Sequence, residues 1–417
     1  MRVLRARAER FGAIVATESP PALVSVGRDL ARMLGVEGGA LWDGPSPGLD
    51  VEGLTGPTEA HVAVTERCPA GCSGCYADAT PTGYEPPFAD VCARLDALAR
   101  AGTFAVAFGG GEAALREDLP EIAAHARALG MVPTVTTSGL GMTAARASRF
   151  RVFAQVNVSH DGIGPVYRGV RGYDGAPTAE RAIALLRAAG VPVGANTVLT
   201  RASYPHLAET AAHLEALGCV ELQLLRFKPS GRGRLDYLAQ RLDETQIAGF
   251  GTALAALSRA RRIALRIDCA LLPFLAGSGE TTPEAVRTFG VMGCEPGRAL
   301  VAVRADGRAA PCSFWQSDAR AVPDTANASA ADALTHAWQD DATLAAFRSY
   351  QRALPEPCGS CEFRASCRGG CRIVAGALGD TPWAPDPECP RVRAHGRLHH
   401  PAQPELRVRS IDGGPTT

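Results

Sequence analysis

The chain has 417 residues, 46% of them hydrophobic, with 43 lysines and arginines against 43 aspartates and glutamates. This length allows two domains, or one large domain with an extension, and the zero formal charge argues against a nucleic-acid partner. The basic N-terminus lacks the apolar core and cleavage site of a signal peptide, and no apolar run is long enough to span a bilayer. We therefore expect a cytoplasmic protein without membrane contact, whose 13 cysteines are reduced thiols and whose clustered cysteines bind metal.

Residues 1–56 are predicted to form a separate small element. Residues 11–17 and 22–26 have the pattern of short strands, residues 28–34 that of one helix, and a linker rich in Gly and Pro follows over residues 43–58. Two interpretations stay open. The segment is either an N-terminal extension packed on the main domain, which we favour because it is small, or a shortened peptide-binding module.

From residue 57 to residue 268, short β-rich runs alternate with Ala/Leu-rich helical stretches. The predicted strands cover residues 61–65, 104–108, 132–137, 155–159, 191–199 and 220–227. The predicted helices cover residues 87–101, 119–129, 143–149, 177–189, 204–217 and 243–261. Six such units with buried strands predict an α/β fold, a partial (β/α)6 barrel that is too short to close. Residues 263–268 have the pattern of one more strand.

Polar and glycine residues gather where the predicted strands end. Because the C-terminal ends of parallel strands meet at one rim, this rim is the expected active site. The residues are Cys68, Cys72 and Cys75 after the first strand, Gly109, Gly110, Gly111 and Glu112 after the second, residues 136–139 after the third, Ser159 and Asp161 after the fourth, Asn196 within the fifth and Arg226 at the end of the sixth.

The spacing C-x3-C-x2-C of the first group points to iron–sulfur chemistry. Three thiolates hold three irons of a [4Fe–4S] cluster and leave the fourth iron open for a small molecule, since full ligation takes four cysteines. The alternative is half of a zinc site or an unrelated thiol group.

The segment from residue 269 to residue 395 is predicted to be a second, cysteine-rich domain. It has little periodic structure, so bound metal would compensate for a small apolar core. Its cysteines are Cys269, Cys294, Cys312, Cys358, Cys361, Cys367, Cys371 and Cys389. Residues 396–417 form a polar tail that we expect to be flexible.

The chain resembles the radical S-adenosylmethionine (SAM) superfamily. The strings VTERCPAGCSGCY, VAFGGGE, VNVSHDG and LLRFKPSGRGR carry this resemblance, together with the C-terminal cysteines. It implies that SAM occupies the open iron and that residues 109–112 bind the amino group of its methionine moiety. It also makes Ser159, Asp161, Asn196 and Arg226 candidates for SAM contacts, although each has an equally ordinary structural role. Gly74 departs from the aromatic or aliphatic residue usual before the third cysteine, and Tyr76 is expected to take over part of its packing.

The C-terminal spacing resembles the seven-cysteine SPASM extension, which holds two auxiliary [4Fe–4S] clusters. The resemblance assigns Cys358, Cys361, Cys367 and Cys389 to one cluster, and Cys294, Cys312 and Cys371 to the other. Cys269 is the candidate fourth ligand of the latter. Its alternative is a buried small apolar residue, which would leave that iron open. Cys92 and Cys219 are expected to be structural.

The resemblance is strongest to maturases of ribosomally made peptides. It implies three [4Fe–4S] clusters, a 5′-deoxyadenosyl radical made from SAM, a precursor peptide as substrate and a reductase such as flavodoxin or ferredoxin as partner. The expected product is an oxidative thioether, C–C or C–O cross-link. Formylglycine formation in a sulfatase, small-molecule oxidation and a non-catalytic electron carrier remain as alternatives. No catalytic residue is identified, although Cys92, Cys219 or Cys269 would serve as a hydrogen donor if the reaction needs one.

Overall fold

An antiparallel sheet at the N-terminus packs on the main domain. In the computed structural model, which describes residues 2–18, 21–47, 53–279, 281–288, 290–315, 338–399 and 408, strands β1 (Val3–Glu9), β2 (Gly12–Glu18) and β3 (Pro21–Gly27) lie in the order β1-β2-β3 and precede helix α1 (Arg28–Met33). Arg7 donates hydrogen bonds to the carbonyl oxygens of Pro57 (2.7 Å) and Gly102 (3.0 Å). The sheet is therefore attached to the main domain through charged side chains of β1, a strand that the sequence patterns missed.

The main sheet has nine strands and is parallel except at one end. Its order is β10-β9-β8-β7-β6-β5-β4-β11-β12, and only β12 runs antiparallel to its neighbour. Its strands are β4 (Glu59–Thr65), β5 (Ala105–Gly110), β6 (Val132–Thr137), β7 (Gln155–Ser159), β8 (Val193–Leu199), β9 (Glu221–Arg226), β10 (Ala264–Ile267), β11 (Leu300–Val303) and β12 (Ala309–Ala310). The predicted α/β fold with an open parallel sheet is confirmed.

Helices cover the sheet between successive strands. They are α2 (Phe88–Arg100), α3 (Leu119–Ala128), α4 (Ala144–Arg149), α5 (Pro165–Arg171), α6 (Ala176–Ala188), α7 (Leu207–Ala216), α8 (Tyr237–Gln240), α9 (Glu244–Ala248) and α10 (Phe250–Ala260). The predicted helix over residues 243–261 is two helices, because the chain bends at Gly249. Strand side chains such as Val62, Val106, Val156 and Leu222 are fully buried, whereas alternate residues of β4, β5 and β9 are only half-buried. One face of these strands is therefore covered more completely than the other.

The cysteine-rich segment contributes to both the main sheet and a helical lobe. Strand β11 pairs in parallel with β4, so the sheet continues past the predicted domain boundary at residue 268. The helices of this segment are α11 (Leu272–Gly277), α12 (Pro283–Thr288), α13 (Ala342–Arg352), α14 (Arg364–Cys367), α15 (Arg372–Leu378) and α16 (Pro390–His399). The predicted flexible tail lies largely outside the described residues, which after His399 include only Val408. Among the helices of the described ranges, none has both the length and the apolar character needed to cross a membrane.

Candidate active site and thiol groups

The loop that follows β4 brings three thiols together. Cys68, Cys72 and Cys75 are free and half-buried. Burial raises the pKa of the Cys68 thiol, and the nearby charges of Glu112, Cys72 and Cys75 raise it further. The three sulfurs and the Glu112 carboxylate therefore share one electrostatic environment, which a bound cation would stabilise.

Two arginines hold this cysteine loop in place. Arg171 Nη1 lies 3.8 Å from Cys72 Sγ, and its carbonyl accepts a hydrogen bond from the Ser73 amide (3.2 Å). Arg232 donates from Nε to the Cys72 carbonyl (3.1 Å) and from its amide to the Cys75 carbonyl (3.0 Å). The sequence analysis named neither arginine, because their contacts join positions about 100 and 160 residues apart in the chain.

The glycine run after β5 lies directly against the segment that leads into the cysteine loop. A Cβ on Gly110 would stand 2.2 Å from the Thr65 carbonyl oxygen, and one on Gly111 would stand 2.2 Å from that of Arg67. Gly110 also has φ +111°. Only glycine allows this approach and this backbone conformation, so the run has a structural reason to be glycine at Gly110 and Gly111.

The Glu112 carboxylate is fixed beside the thiols by the end of β6. It accepts hydrogen bonds from Thr137 Oγ1 (2.6 Å), from the amides of Ser138 (2.7 Å) and Ala114 (3.2 Å), and from the Ser138 hydroxyl. A buried, preoriented carboxylate beside the cysteine loop suits a ligand with an ammonium group. The contact to the amino group of SAM stays a prediction.

Ser159 and Asn196 lie next to each other in the register of β7 and β8. Asn196 Nδ2 donates to Thr136 Oγ1 (3.4 Å), whereas its Oδ1 is buried and has no hydrogen-bond partner in the described part of the chain. Buried polar atoms are rarely left unpaired, so Asn196 Oδ1 is suited to accept a hydrogen bond from a ligand. Asp161 is engaged elsewhere, since its carboxylate binds Arg171 and the Val198 amide (2.7 Å).

Arg226 has different partners from those predicted. Its guanidinium donates to Asp386 (2.7 and 3.1 Å), Glu388 (2.6 Å) and the Ala270 carbonyl (2.9 Å), all of them buried. These bonds join β9 to the cysteine-rich segment and give Arg226 a structural role.

Tyr76 lies beside the glycine run and the cysteine loop, and burial raises its pKa to about 12.

Four thiols of the cysteine-rich segment share one buried site. Cys269 interacts electrostatically with Cys294 and Cys371, and Cys294 interacts with Cys312 as well. Burial raises the pKa of all four thiols, that of Cys312 to about 12. Two of these thiols, Cys294 and Cys371, are buried and the other two are half-buried. Four such thiols become thiolates together most readily around a compensating cation, and this donor set suits a fully ligated iron–sulfur cluster.

A second group of four thiols surrounds a small cavity. Cys358, Cys361, Cys367 and Cys389 line it, together with Gly369 and Gly370. Burial, together with the nearby charges of Cys389 and Cys361, raises the pKa of Cys358 to about 12. The residues present therefore fit a second cluster.

Cys219 belongs to none of these thiol groups. It lies in the apolar core, as expected of a structural cysteine.

A cluster of His160, Glu180 and His213 lies outside these sites. Glu180 Oε1 is 3.3 Å from His160 Nε2 and 2.8 Å from His213 Nε2. Burial lowers the pKa of His160, which favours the neutral imidazole. Two imidazole N–H groups donating to one carboxylate account for this arrangement, which fixes the end of β7 to α6 and α7.

Comparisons with known proteins agree with this geometry. Residues 62–214 match the model of the radical SAM superfamily. The chain is 27% identical over 350 residues to pre-heme d1 synthase of Dinoroseobacter shibae (78% of this chain, 84% of that protein). It is 27% identical over 362 residues to PqqA peptide cyclase of Xanthomonas campestris pv. campestris (84% and 91%).

A solved structure has the same fold over nearly the whole chain. Streptococcus suis SuiB bound to S-adenosylmethionine superposes with a TM-score of 0.69 at 16% identity, covering 93% of this chain and 98% of SuiB. The matched domain and the relatives establish an enzyme, which removes the alternative of a non-catalytic electron carrier. The chain is thus an enzyme whose residues 62–214 match the radical SAM superfamily and are followed by a cysteine-rich segment, and it resembles the peptide maturases of that superfamily.

Proposed function

We propose that this enzyme modifies a ribosomally made precursor peptide and introduces an oxidative cross-link, a thioether, C–C or C–O bond. The observation that supports this most is the grouping of eleven thiols into three sets, one at the rim of the sheet and two in the cysteine-rich segment. A reaction that removes hydrogen and then an electron from its substrate needs both an initiating site and a site that accepts the electron.

At the rim, Cys68, Cys72 and Cys75 would hold the cluster that binds SAM. When bound, this cluster and SAM supply a carbon radical that abstracts hydrogen from an unactivated carbon. The protein's part is orientation. Glu112 would bind the ammonium group of SAM, and Ser159 and Asn196 its other polar groups. Arg171 and Arg232 would keep the cysteine loop in position.

In the cysteine-rich segment, we assign the two thiol groups to two auxiliary clusters. Cys269 completes the first group with Cys294, Cys312 and Cys371, so this site would have no open iron for substrate. The second group consists of Cys358, Cys361, Cys367 and Cys389. The external electron donor would be a reductase such as flavodoxin or ferredoxin.

The N-terminal sheet is the proposed docking element for the peptide. Strand β3 is an edge strand in the described sheet, and Leu23 and Val24 on it are 50% and 42% exposed. An exposed edge accepts an extended peptide as an additional strand. The named relative PqqA peptide cyclase and the solved complex of SuiB with its precursor peptide SuiA favour a peptide substrate.

The second candidate function is oxidation of a small molecule. The similarity to pre-heme d1 synthase favours it, at the same identity as the similarity to PqqA peptide cyclase. A small substrate would not need the edge of β3. Deletion of residues 1–56 would therefore leave small-molecule turnover intact and abolish peptide modification.

The experiment is anaerobic incubation of the cluster-loaded protein with SAM, dithionite and peptides encoded next to its gene. We expect 5′-deoxyadenosine and a product two mass units lighter per cross-link. Cys72→Ala should reduce 5′-deoxyadenosine to background, whereas Cys92→Ala, which removes a thiol outside the three groups, should not. SAM cleavage that persists in Cys72→Ala would contradict the assignment of the rim site, and a modified small molecule with unmodified peptide would favour the second candidate.

A further inference from the structure

A buried ion pair lies beside the first auxiliary thiol group. Lys228 follows β9, and its Nζ contacts the Asp268 carboxylate. The two side chains are only 4% and 9% exposed. Asp268 also accepts hydrogen bonds from the amides of Arg226 (3.2 Å) and Ala270 (3.3 Å). Both charges are therefore held at fixed positions with little access to solvent.

Lys228 lies where the rim site meets the first auxiliary site. Its Nζ is 4.0 Å from the centre of the Phe314 ring, and that ring is 4.6 Å from the ring of Tyr76. Ser230 Oγ lies within hydrogen-bond distance of the carbonyl oxygens of both Tyr76 (3.1 Å) and Phe314 (2.9 Å). Tyr76 directly follows Cys75, and Phe314 is two residues after Cys312. The loop of one thiol group thus packs against the loop of the other, with the ammonium group at the contact.

The two charges of the pair act on the first auxiliary group with opposite signs. Lys228 interacts electrostatically with Cys269, Cys312 and Cys371, and it opposes the effect of burial on the last two. Asp268 precedes Cys269 in the chain, and Cys269 Sγ lies 3.4 Å from Asp268 Oδ1. Charges in a buried site of low effective dielectric interact strongly and are weakly screened by salt.

We propose that Lys228 and Asp268 set the electron affinity of the iron–sulfur cluster held by Cys269, Cys294, Cys312 and Cys371. The proposal rests on the assignment of that cluster under the proposed function. Reduction adds a negative charge, so the ammonium group stabilises the reduced state and raises the reduction potential. The carboxylate beside Cys269 lowers it. Reduction potentials of such clusters depend on nearby charge and on solvent exposure. Lys228 thus acts through the cluster: it stabilises the state in which the cluster has accepted the electron that leaves the substrate.

The test is a redox titration monitored by electron paramagnetic resonance. It uses the cluster-loaded full chain in which Cys68, Cys72 and Cys75 are replaced by Ala, so that only the auxiliary clusters contribute. Lys228→Met keeps the aliphatic stem and removes the charge, and we expect it to shift the potential of the first cluster to more negative values. Asp268→Asn keeps the shape, and we expect a shift to more positive values. Lys228→Arg should restore a potential close to that of the parent chain.

The second cluster serves as an internal reference. The main charges acting on Cys358, Cys367 and Cys389 are those of neighbouring thiols, Arg372 and Asp386, and not those of Lys228 or Asp268. The potential of the second cluster should therefore stay constant in all three variants. Opposite shifts confined to the first cluster support the proposal. Shifts of the same sign, or no shift with both clusters present, overturn it. Two four-iron clusters contain about eight irons. If the chain with Cys68, Cys72 and Cys75 replaced by Ala binds clearly fewer irons than this, the cluster assignment under the proposed function fails instead.

Discussion

The rim site and the cysteine-rich segment use the same side chain in different numbers. Cys68, Cys72 and Cys75 are all half-buried in a loop. The thiols of the cysteine-rich segment divide evenly: Cys294, Cys367, Cys371 and Cys389 are buried, and Cys269, Cys312, Cys358 and Cys361 are half-buried. Full ligation of a four-iron cluster takes four cysteines, so the three rim thiols would leave one iron open to a ligand, whereas each set of four would enclose its cluster.

The two regions are also stabilised differently. The rim loop is held by hydrogen bonds between backbone groups, by the side chains of Arg171 and Arg232, and by glycines that allow close approach. The cysteine-rich segment is held by a buried charge network in which Glu388 accepts from Arg226 and from the Tyr237 hydroxyl (2.8 Å). The segment also buries apolar side chains that belong to the main core, among them Leu272, Phe274 and Phe363, so the ion pairs add to apolar packing and do not replace it.

The largest effect is expected where the charge network is broken. Arg226→Met would leave Asp386 and Glu388 buried without their main cation, a loss of about 3–5 kcal/mol. Thermal unfolding should therefore begin at lower temperature, with loss of the auxiliary clusters. Arg168→Met is the matched control, because the Arg168 side chain is 65% exposed. Equal melting temperatures for the two variants would show that the network contributes little.

Removal of the proposed fourth ligand tests whether the first auxiliary site is enclosed. In Cys269→Ala, the first cluster should lose one iron or be lost entirely, seen as lower iron content and a changed paramagnetic resonance spectrum. Cys219→Ala removes a buried thiol from the apolar core, outside the three thiol groups, and should keep the full iron content. An unaltered spectrum in Cys269→Ala would mean that this thiol is structural and that the site has an open iron.

A smaller effect is expected from the arginine that contacts Cys72. Arg171→Met removes a guanidinium that binds Asp161 and lies near the Cys72 sulfur, and partners of metal ligands typically contribute about 10–100-fold. We expect SAM cleavage to slow by this factor while the auxiliary clusters keep their spectra. Arg168→Met, on the same helix, should cleave SAM at the rate of the parent. Loss of all clusters in Arg171→Met would contradict a role confined to the rim.

The smallest effect concerns the edge of β3. Replacing both Leu23 and Val24 with Glu should raise KM for the precursor peptide several-fold, since the edge would no longer offer an apolar surface. SAM cleavage in the absence of peptide should stay unchanged, because the edge does not contact the cysteine loop. An unchanged KM would place peptide recognition elsewhere in the molecule.

Much of the fold and of the rim site could be predicted from sequence because the signals are local. Strands β6 and β7 were predicted with the bounds found, and the open parallel sheet follows from the repeated units. The three rim cysteines lie within eight residues, so their proximity does not depend on the rest of the chain. Strand β1 was missed because its more buried face carries the charged residues Arg5, Arg7 and Glu9, whereas Leu4 and Ala6 on the other face are exposed.

Contacts between distant parts of the chain were decided only by the tertiary structure. The sequence could propose Cys269 as a ligand, but only folding brings it beside Cys294 and Cys371. Likewise, Arg226 meets Asp386 and Lys228 meets Asp268 across 160 and 40 residues. Local patterns determine which residues can bind metal or form a strand. Which charges become buried together depends on the packing of separate segments, and no local pattern encodes that.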